Sequence, residues 1–209
     1  CDVRAYYVNT VFQPAFELAD AQKLAEELEV PMTVVEADVL AVPEAEANGP
    51  RRCYYCKKAL FTTLWKRAAE DGYTVLLDGT NASDDAGDRP GMQALRELEV
   101  RSPLRECGIT KDQVRQMSRE AGLFTWDKPA YACLATRVPT GTAITREALE
   151  KVERGEDALF KLGFTDFRVR LLGDAARIQL PEAQMERAVQ LRDTIAKALE
   201  VDFSAVLLD

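Results

Sequence analysis

Histidine is absent from the 209 residues. That one gap excludes His-ligated metal centres, Ser–His and Cys–His nucleophile pairs, and any imidazole general base. Long apolar runs are missing too, since none approaches the ~20 residues a membrane-spanning helix needs. Basic excess is also lacking: 27 Lys and Arg face 35 Asp and Glu, for a formal charge of −8. A nucleic-acid surface is usually broadly basic, so nucleic acid is not favoured as a partner. The opening Cys1-Asp2-Val3-Arg4 has neither an initiator methionine nor a signal-peptide pattern, and it leads straight into a strand-like stretch. The expectation is a chain whose natural start lies further upstream.

Enough apolar residues remain (47%, against 30% charged) to bury a substantial core, which excludes collagen-like and disordered classes. There are five cysteines, an odd number, and they favour a reducing, cytoplasmic setting over a disulfide scaffold.

Residues 3–8 read as a strand rich in aromatic and β-branched side chains. Apolar positions at helical spacing predict a helix over 17–28, and a second strand follows at 32–36. A further helix spans 53–71. The continuous apolar run 73–77 ends at Asp78-Gly79, the pattern of a buried parallel strand that delivers a polar loop at its carboxyl end. A short helix covers 111–120 and closes at Gly122. Alternating strands and helices predict an α/β fold with a doubly wound parallel sheet over 1–140. After Pro139-Thr140-Gly141 the pattern changes. A helix over 145–162 with Thr145 as N-cap precedes two hairpin strands, 167–172 and 175–180, around Gly173-Asp174. A helix over 182–199 and a strand over 203–208 complete a small α+β domain, 141–209.

Three constellations carry chemistry. The first is Arg52-Cys53-Tyr54-Tyr55-Cys56-Lys57-Lys58, a C-x-x-C at a helix start, where both sulfurs face one opening. Two small buried thiols, or a redox dithiol, are the competing readings. The second is Lys128-Pro129-Ala130-Tyr131-Ala132-Cys133-Leu134-Ala135-Thr136-Arg137, with Cys133 in a loop 77 residues after Cys56. Three thiolates without histidine make an incomplete zinc site; they suit an iron–sulfur cluster with one open iron, or leave Cys133 as a sulfur-relaying nucleophile. Cys1 and Cys107 have no comparable context. The third is the Gly- and Asp-rich run from Asp78 to Met92. Its glycines let backbone approach a ligand, its carboxylates Asp78, Asp84 and Asp88 can hold Mg²⁺, and Arg89 can pair with phosphate. A solvated loop is the plain alternative. Arg137, Arg168, Arg170 and Arg177 form a further basic group that reads as a local anion site, with ion pairing to Glu153 and Glu156 as its rival.

Taken together, C-Y-Y-C-K-K, L-D-G-T-N-x-x-D-x-x-x-D-R-P-G and K-P-A-x-x-C-L-A-T-R resemble the LarE family, PP-loop ATP pyrophosphatases of the adenine nucleotide alpha hydrolase (HUP-like) fold. The resemblance covers nearly the whole chain. It implies an ATP-dependent sulfurtransferase that adenylylates pyridinium-3,5-biscarboxylic acid mononucleotide and converts it to a thiocarboxylate for a nickel-pincer cofactor. It further implies ATP, Mg²⁺ and a [4Fe–4S] cluster on Cys53, Cys56 and Cys133, with Cys133 as ligand or donor. Lys57 and Arg137 become phosphate contacts, Arg168 a substrate contact, and Glu156 a metal-site carboxylate. A homo-oligomer is implied as well.

The family's S-G-G-x-D-S phosphate loop is not in these residues, and its place in the pattern is before Val3. The expectation is about 40–60 further residues upstream, one strand–loop–helix unit with a lead-in. Three other readings fit parts of the pattern: a PP-loop tRNA thiolation enzyme with an iron–sulfur cluster, an ammonia-using amide-forming PP-loop ligase, and a non-catalytic metal-binding or scaffold protein.

Overall fold

A computed structural model describes residues 2–84 and 90–209. The chain divides into two compact units, the first made of Cys1–Thr10, Ala15–Ala45 and Pro50–Lys128, the second of Val11–Pro14, Glu46–Gly49 and Pro129–Asp209. The boundary expected near Gly141 lies inside the second unit.

In the first unit, β1 (Ala5–Asn9), α1 (Ala15–Glu27) and β2 (Met32–Glu36) form a strand–helix–strand run, and the two strands pair in parallel with Tyr7 opposite Val34. A helix between parallel strands is the usual connection, because a tight hairpin cannot join them. After the short α2 (Pro43–Glu46), α3 (Arg52–Glu70) runs for 19 residues. Its Tyr54, Leu64 and Ala68 are buried at helical spacing. The core gathers Leu64, Leu76, Leu95 and Val100, with Tyr6, Val8 and Val35 packed against them. Tyr6 and Val8 alternate with Tyr7 along β1, so one face of the strand meets this core. Three helices follow, α4 (Pro90–Glu97), α5 (Pro103–Glu106) and α6 (Lys111–Glu120); α6 opens with a reciprocal Thr110–Gln113 capping box.

The strand expected over 73–77 is not formed. A single parallel bridge joins Leu77 to Arg101, and Val75 and Leu77 stay exposed at 55% and 52%. A strand needs hydrogen-bonded neighbours, and this segment has one, along a short stretch of one edge. The structure is therefore α/β with a parallel sheet.

In the second unit, the Thr145 side chain accepts from Ala148 N and caps α7 (Arg146–Lys161). The hairpin β3 (Arg168–Leu172) and β4 (Ala175–Gln179) follows, with Gly173 at φ 58° in its turn. That left-handed backbone is one a side chain resists. The expected final helix breaks at Leu191 into α8 (Glu182–Gln190) and α9 (Arg192–Leu199). The last strand shortens to β5 (Val206–Leu208), which pairs in parallel with β4. Val169, Ala176 and Ile178 point into a core with Leu159, Phe164, Ile195 and Leu199. Helix α7 packs close to that core at Gly155, where an added Cβ would lie 3.0 Å from Leu199 Cδ2 and 3.2 Å from Phe203 Cε2.

Candidate functional site

In the first unit, Cys53 and Cys56 occupy the first turn of α3, three residues apart and so on one side of the helix. Cys53 is exposed and Cys56 half-buried, and neither is in a disulfide. Arg52 Nη2 lies 3.7 Å from Cys53 Sγ. Lys57 lays its aliphatic stem along Gly91, whose absent side chain makes the space; a Cβ there would sit 3.1 Å from Lys57 Cδ. Lys128, the first residue of the second motif, is held by α1 through Asp20 Oδ2 at 2.5 Å and Glu17 at 3.4 Å.

The loop after Leu77 is ordered by its own polar groups. Asp78 Oδ1 accepts from Ser102 Oγ at 2.6 Å, and the carboxylate also accepts from the Thr80 hydroxyl and amide. Asp84 Oδ2 accepts from Asn81 N at 2.9 Å, and Arg105 Nη1 donates to the Asp84 carbonyl. Side chains bonding backbone two or three residues away are the signature of a fixed turn. Asp88 and Arg89, named from the sequence, lie outside the described residues.

The second unit holds a buried charge network around Cys133. Leu134–Arg137 forms a 3-10 turn that begins directly after Cys133, pinned by buried Leu134 and Ala135 and by the bond from Leu134 N to Phe12 O. Arg137, 1% exposed, donates Nε and Nη2 to the two oxygens of Glu156 at 2.8 and 3.2 Å. Its Nη1 reaches the Ala132 carbonyl and the Thr136 hydroxyl, with the Cys133 carbonyl at 3.5 Å. Glu156 also accepts from Val169 N and from the Tyr131 hydroxyl. Burial, then the charge of Glu156, pushes the Tyr131 phenol far above its ordinary range, so it stays a donor. The Tyr131 ring carries the Arg137 guanidinium 4.6 Å from its centroid and that of Arg168 at 5.6 Å.

Arg137 and Glu156, expected from the sequence as a phosphate contact and a metal-site carboxylate, are bonded to each other. Arg137 has its donors occupied within the protein and clamps the backbone on either side of Cys133, so a phosphate would have to displace bonds already made. Glu156 accepts four hydrogen bonds on its two oxygens, from Arg137 Nε and Nη2, Val169 N and the Tyr131 hydroxyl. Tyr131, Thr136 and Ser102 take parts that sequence reasoning did not assign. Tyr131 stood in the motif as an unspecified position, and its place two residues before Cys133 was the available signal.

On the face of β3–β4 opposite the core stand Arg168, Arg170 and Arg177, and Arg170 lies directly across from Arg177. Arg170 is held below the ordinary arginine range, first by burial and then by the charges of Arg137, Arg177 and Arg168. Like charges directly opposed across strands are unfavourable unless an anion lies between or beside them. Arg170 meets part of its need at Gln179 Oε1 and the Thr136 carbonyl, and Arg177 Nε lies 3.6 Å from Asp209.

Within neither unit do three or more Cys, Asp or Glu side chains of the described residues gather in a metal-holding group. Among those residues no helix is long and apolar enough to cross a membrane.

These features define an α/β protein in two units, one bearing a paired-thiol helix start and an acidic loop, the other a clamped cysteine beside an arginine face. No model of a protein family matches the chain. Among curated proteins, it is 34% identical over 209 residues, the whole chain and 76% of the relative, to the pyridinium-3,5-bisthiocarboxylic acid mononucleotide synthase of Lactiplantibacillus plantarum. It is 44% identical over 174 residues (83% of the chain) to an uncharacterized protein of Synechocystis, of whose length that match spans 65%. An uncharacterized protein of Methanocaldococcus jannaschii is 28% identical over 203 residues, 97% of the chain and 78% of the relative. The chain belongs to the family of the bisthiocarboxylic acid mononucleotide synthase, the LarE family whose motifs it carries.

Proposed function

We propose that the chain is part of an ATP-dependent sulfurtransferase that turns a carboxylate of pyridinium-3,5-biscarboxylic acid mononucleotide into a thiocarboxylate, on the way to a nickel-pincer cofactor. The observation that carries the proposal is the identity with the Lactiplantibacillus synthase along the whole chain. A carboxylate is a poor electrophile because its leaving group would be oxide. ATP removes that obstacle: a carboxylate oxygen attacks the α-phosphorus, pyrophosphate departs, and sulfur then displaces AMP from the acyl carbon.

In this reading the first unit belongs to a doubly wound PP-loop nucleotide domain. Lys57 and Arg89 contact phosphate, and Asp84 and Asp88 face Mg²⁺. Asp78, bonded to Ser102 and Thr80, would join Asp84 and Asp88 as a cofactor-binding carboxylate. Arg168, with Arg170 and Arg177, receives the phosphate or carboxylate of the mononucleotide. Arg137 and Glu156 hold the Cys133 loop in place.

Cys53, Cys56 and Cys133 are the residues that would hold a [4Fe–4S] cluster. Their fit rests on donor chemistry: two thiols one helical turn apart at an accessible helix end and a third in an anchored loop. When bound, such a cluster supplies an open iron that can carry exogenous sulfide. A cytoplasmic homo-oligomer completes the proposal.

Anaerobic purification of the full-length protein, with an absorption spectrum and iron and sulfide counts, tests it. About four of each per chain, lost when Cys53, Cys56 or Cys133 becomes alanine, is the expected result. A colourless, iron-free protein that turns over many times overturns the cluster. Failure to release pyrophosphate in the presence of the biscarboxylate overturns the reaction itself.

A further inference from the structure

Within the second unit the Arg168 guanidinium lies over the Tyr131 ring, its Cζ 5.6 Å from the ring centroid. At its edge, Nη1 donates to Phe167 O at 2.6 Å and Nη2 to Ala130 O. Asp166 Oδ1 lies 3.6 Å from Nη1, and the side chain is 20% exposed, so a ligand can reach it from solvent. A guanidinium makes its hydrogen bonds in its own plane and meets an aromatic ring with its face. An arriving phosphate or carboxylate competes for the plane, where a charge-assisted bond beats one to a neutral carbonyl. The face contact with Tyr131 is outside that competition and persists when the edge changes partner.

The ring is itself fixed at its far end. Tyr131 Oη donates to Glu156, the carboxylate that also accepts from Arg137 Nε and Nη2. The Arg137 guanidinium lies 4.6 Å from the same centroid, and its Nη1 bonds the Ala132 carbonyl. Tyr131 stands two residues before Cys133, whose turn begins at buried Leu134. One side chain therefore touches the arginine of the β3–β4 face and the clamp around the thiol together.

We propose that Tyr131 is a positioning residue for sulfur transfer: its ring fixes the Arg168 guanidinium, and with it the bound anion of the mononucleotide, at a set distance from the Cys133 loop. This rests on the reading of Arg168 as the substrate's anion contact. Three observations favour positioning over the plain filling of space. The ring meets two guanidinium groups. Its hydroxyl is joined to the same carboxylate that clamps the Cys133 turn. Arg168 Nη2 bonds the carbonyl of Ala130, the residue next to Tyr131, so guanidinium and ring are tied to one stretch of backbone. No bond to Tyr131 forms or breaks in the reaction. Its effect is on where the substrate sits relative to the sulfur, and a displacement of about 1 Å at a reacting centre can cost about 100-fold in rate.

Kinetics and chemical modification of the full-length protein test this. Tyr131→Leu is expected to raise KM for the biscarboxylate mononucleotide by about 5- to 30-fold, the range of one cation–π contact, with KM for ATP within about twofold of wild type. Tyr131→Phe keeps the ring and should restore most of that loss. Mono- and trifluorinated phenylalanine at position 131 keep the ring but drain its face of negative charge, so KM for the mononucleotide should climb with each step. Packing alone predicts no such trend, and a flat series overturns the proposal even where the leucine variant fails to fold. Independently of any reaction, phenylglyoxal modification of Arg168 is followed by mass spectrometry of the peptide that bears it. The rate is expected to rise several-fold in the leucine and trifluorinated variants and to stay near wild type in Tyr131→Phe. Equal rates in all of these proteins overturn the hold of the ring on Arg168. A wild type that releases no pyrophosphate with the mononucleotide sinks the reaction instead, and the phenylglyoxal rates then decide for or against Tyr131 by themselves.

Discussion

Arg137 is the most demanding side chain in the second unit, a charge removed from water that must have every donor met. Glu156 supplies the counter-charge and two acceptors, while the carbonyls and hydroxyl around Cys133 supply the rest. Buried pairs of this kind add little compared with well-packed apolar residues, yet losing one member leaves an uncompensated charge. Glu156→Gln in the full-length protein is therefore expected to lower the unfolding free energy by about 3–5 kcal/mol, measured by urea denaturation. A loss below about 1 kcal/mol would mean that solvent reaches Arg137 and that the clamp on Cys133 is loose. From sequence, Arg137 and Glu156 were visible as chemistry-bearing residues, assigned to phosphate and to metal. Their mutual bond was not, because a pair 19 residues apart across a loop and a helix leaves no periodic trace. Tyr131 was hidden for the same reason, since only folding brings its hydroxyl to Glu156 and its ring beneath two guanidinium groups.

Among the elements, α3 and α4 are joined by a polar network that is a pH-dependent support of the first unit. Glu97 accepts from Tyr54 Oη at 2.7 Å, Lys58 Nζ at 3.1 Å and Gln93 Nε2 at 2.7 Å. These bonds, that of Tyr54 first, draw its carboxyl down from an ordinary 4.5 to about 2. A carboxyl depressed on folding stabilises the native state above its unfolded value and ceases to do so as pH falls through its folded value. The melting-temperature difference between the wild type and Glu97→Gln should accordingly be steady above pH 5 and shrink between pH 4.5 and about 2. A difference that stays constant over that range would show that the network makes no ionic contribution.

Helices were the most legible elements. The expected spans 53–71, 111–120 and 145–162 each lie within a residue or so of α3, α6 and α7, because a 3.6-residue repeat over several turns is a strong local signal. The hairpin at Gly173-Asp174 was equally plain, since its glycine readily takes the left-handed backbone that the turn uses. Strand 73–77 shows the limit: its composition is that of a strand, but pairing is a property of neighbours.

At the scale of the whole molecule, charge decides between partners. With a net of −8, the proposed anion site at Arg168, Arg170 and Arg177 is a local feature of an acidic chain. Binding of tRNA would need many phosphates neutralised and would weaken steeply with salt. Filter-binding of tRNA to the full-length protein between 50 and 200 mM salt is expected to detect no saturable, salt-dependent association. Tight binding with a steep salt slope would instead favour a tRNA-thiolating activity.

The sequence by itself determined the absence of imidazole chemistry, the α/β alternation, the α+β tail, and the three cysteine- and carboxylate-bearing motifs. Each is encoded in residue identity or in a repeat a few residues long. Tertiary structure alone decided that Arg137 is clamped to Glu156, that Arg170 faces Arg177, and that the run 73–77 is joined at one bridge and not along a strand. These are relations between residues distant in the chain, settled by which groups share a buried space and must satisfy one another's charge and hydrogen bonds.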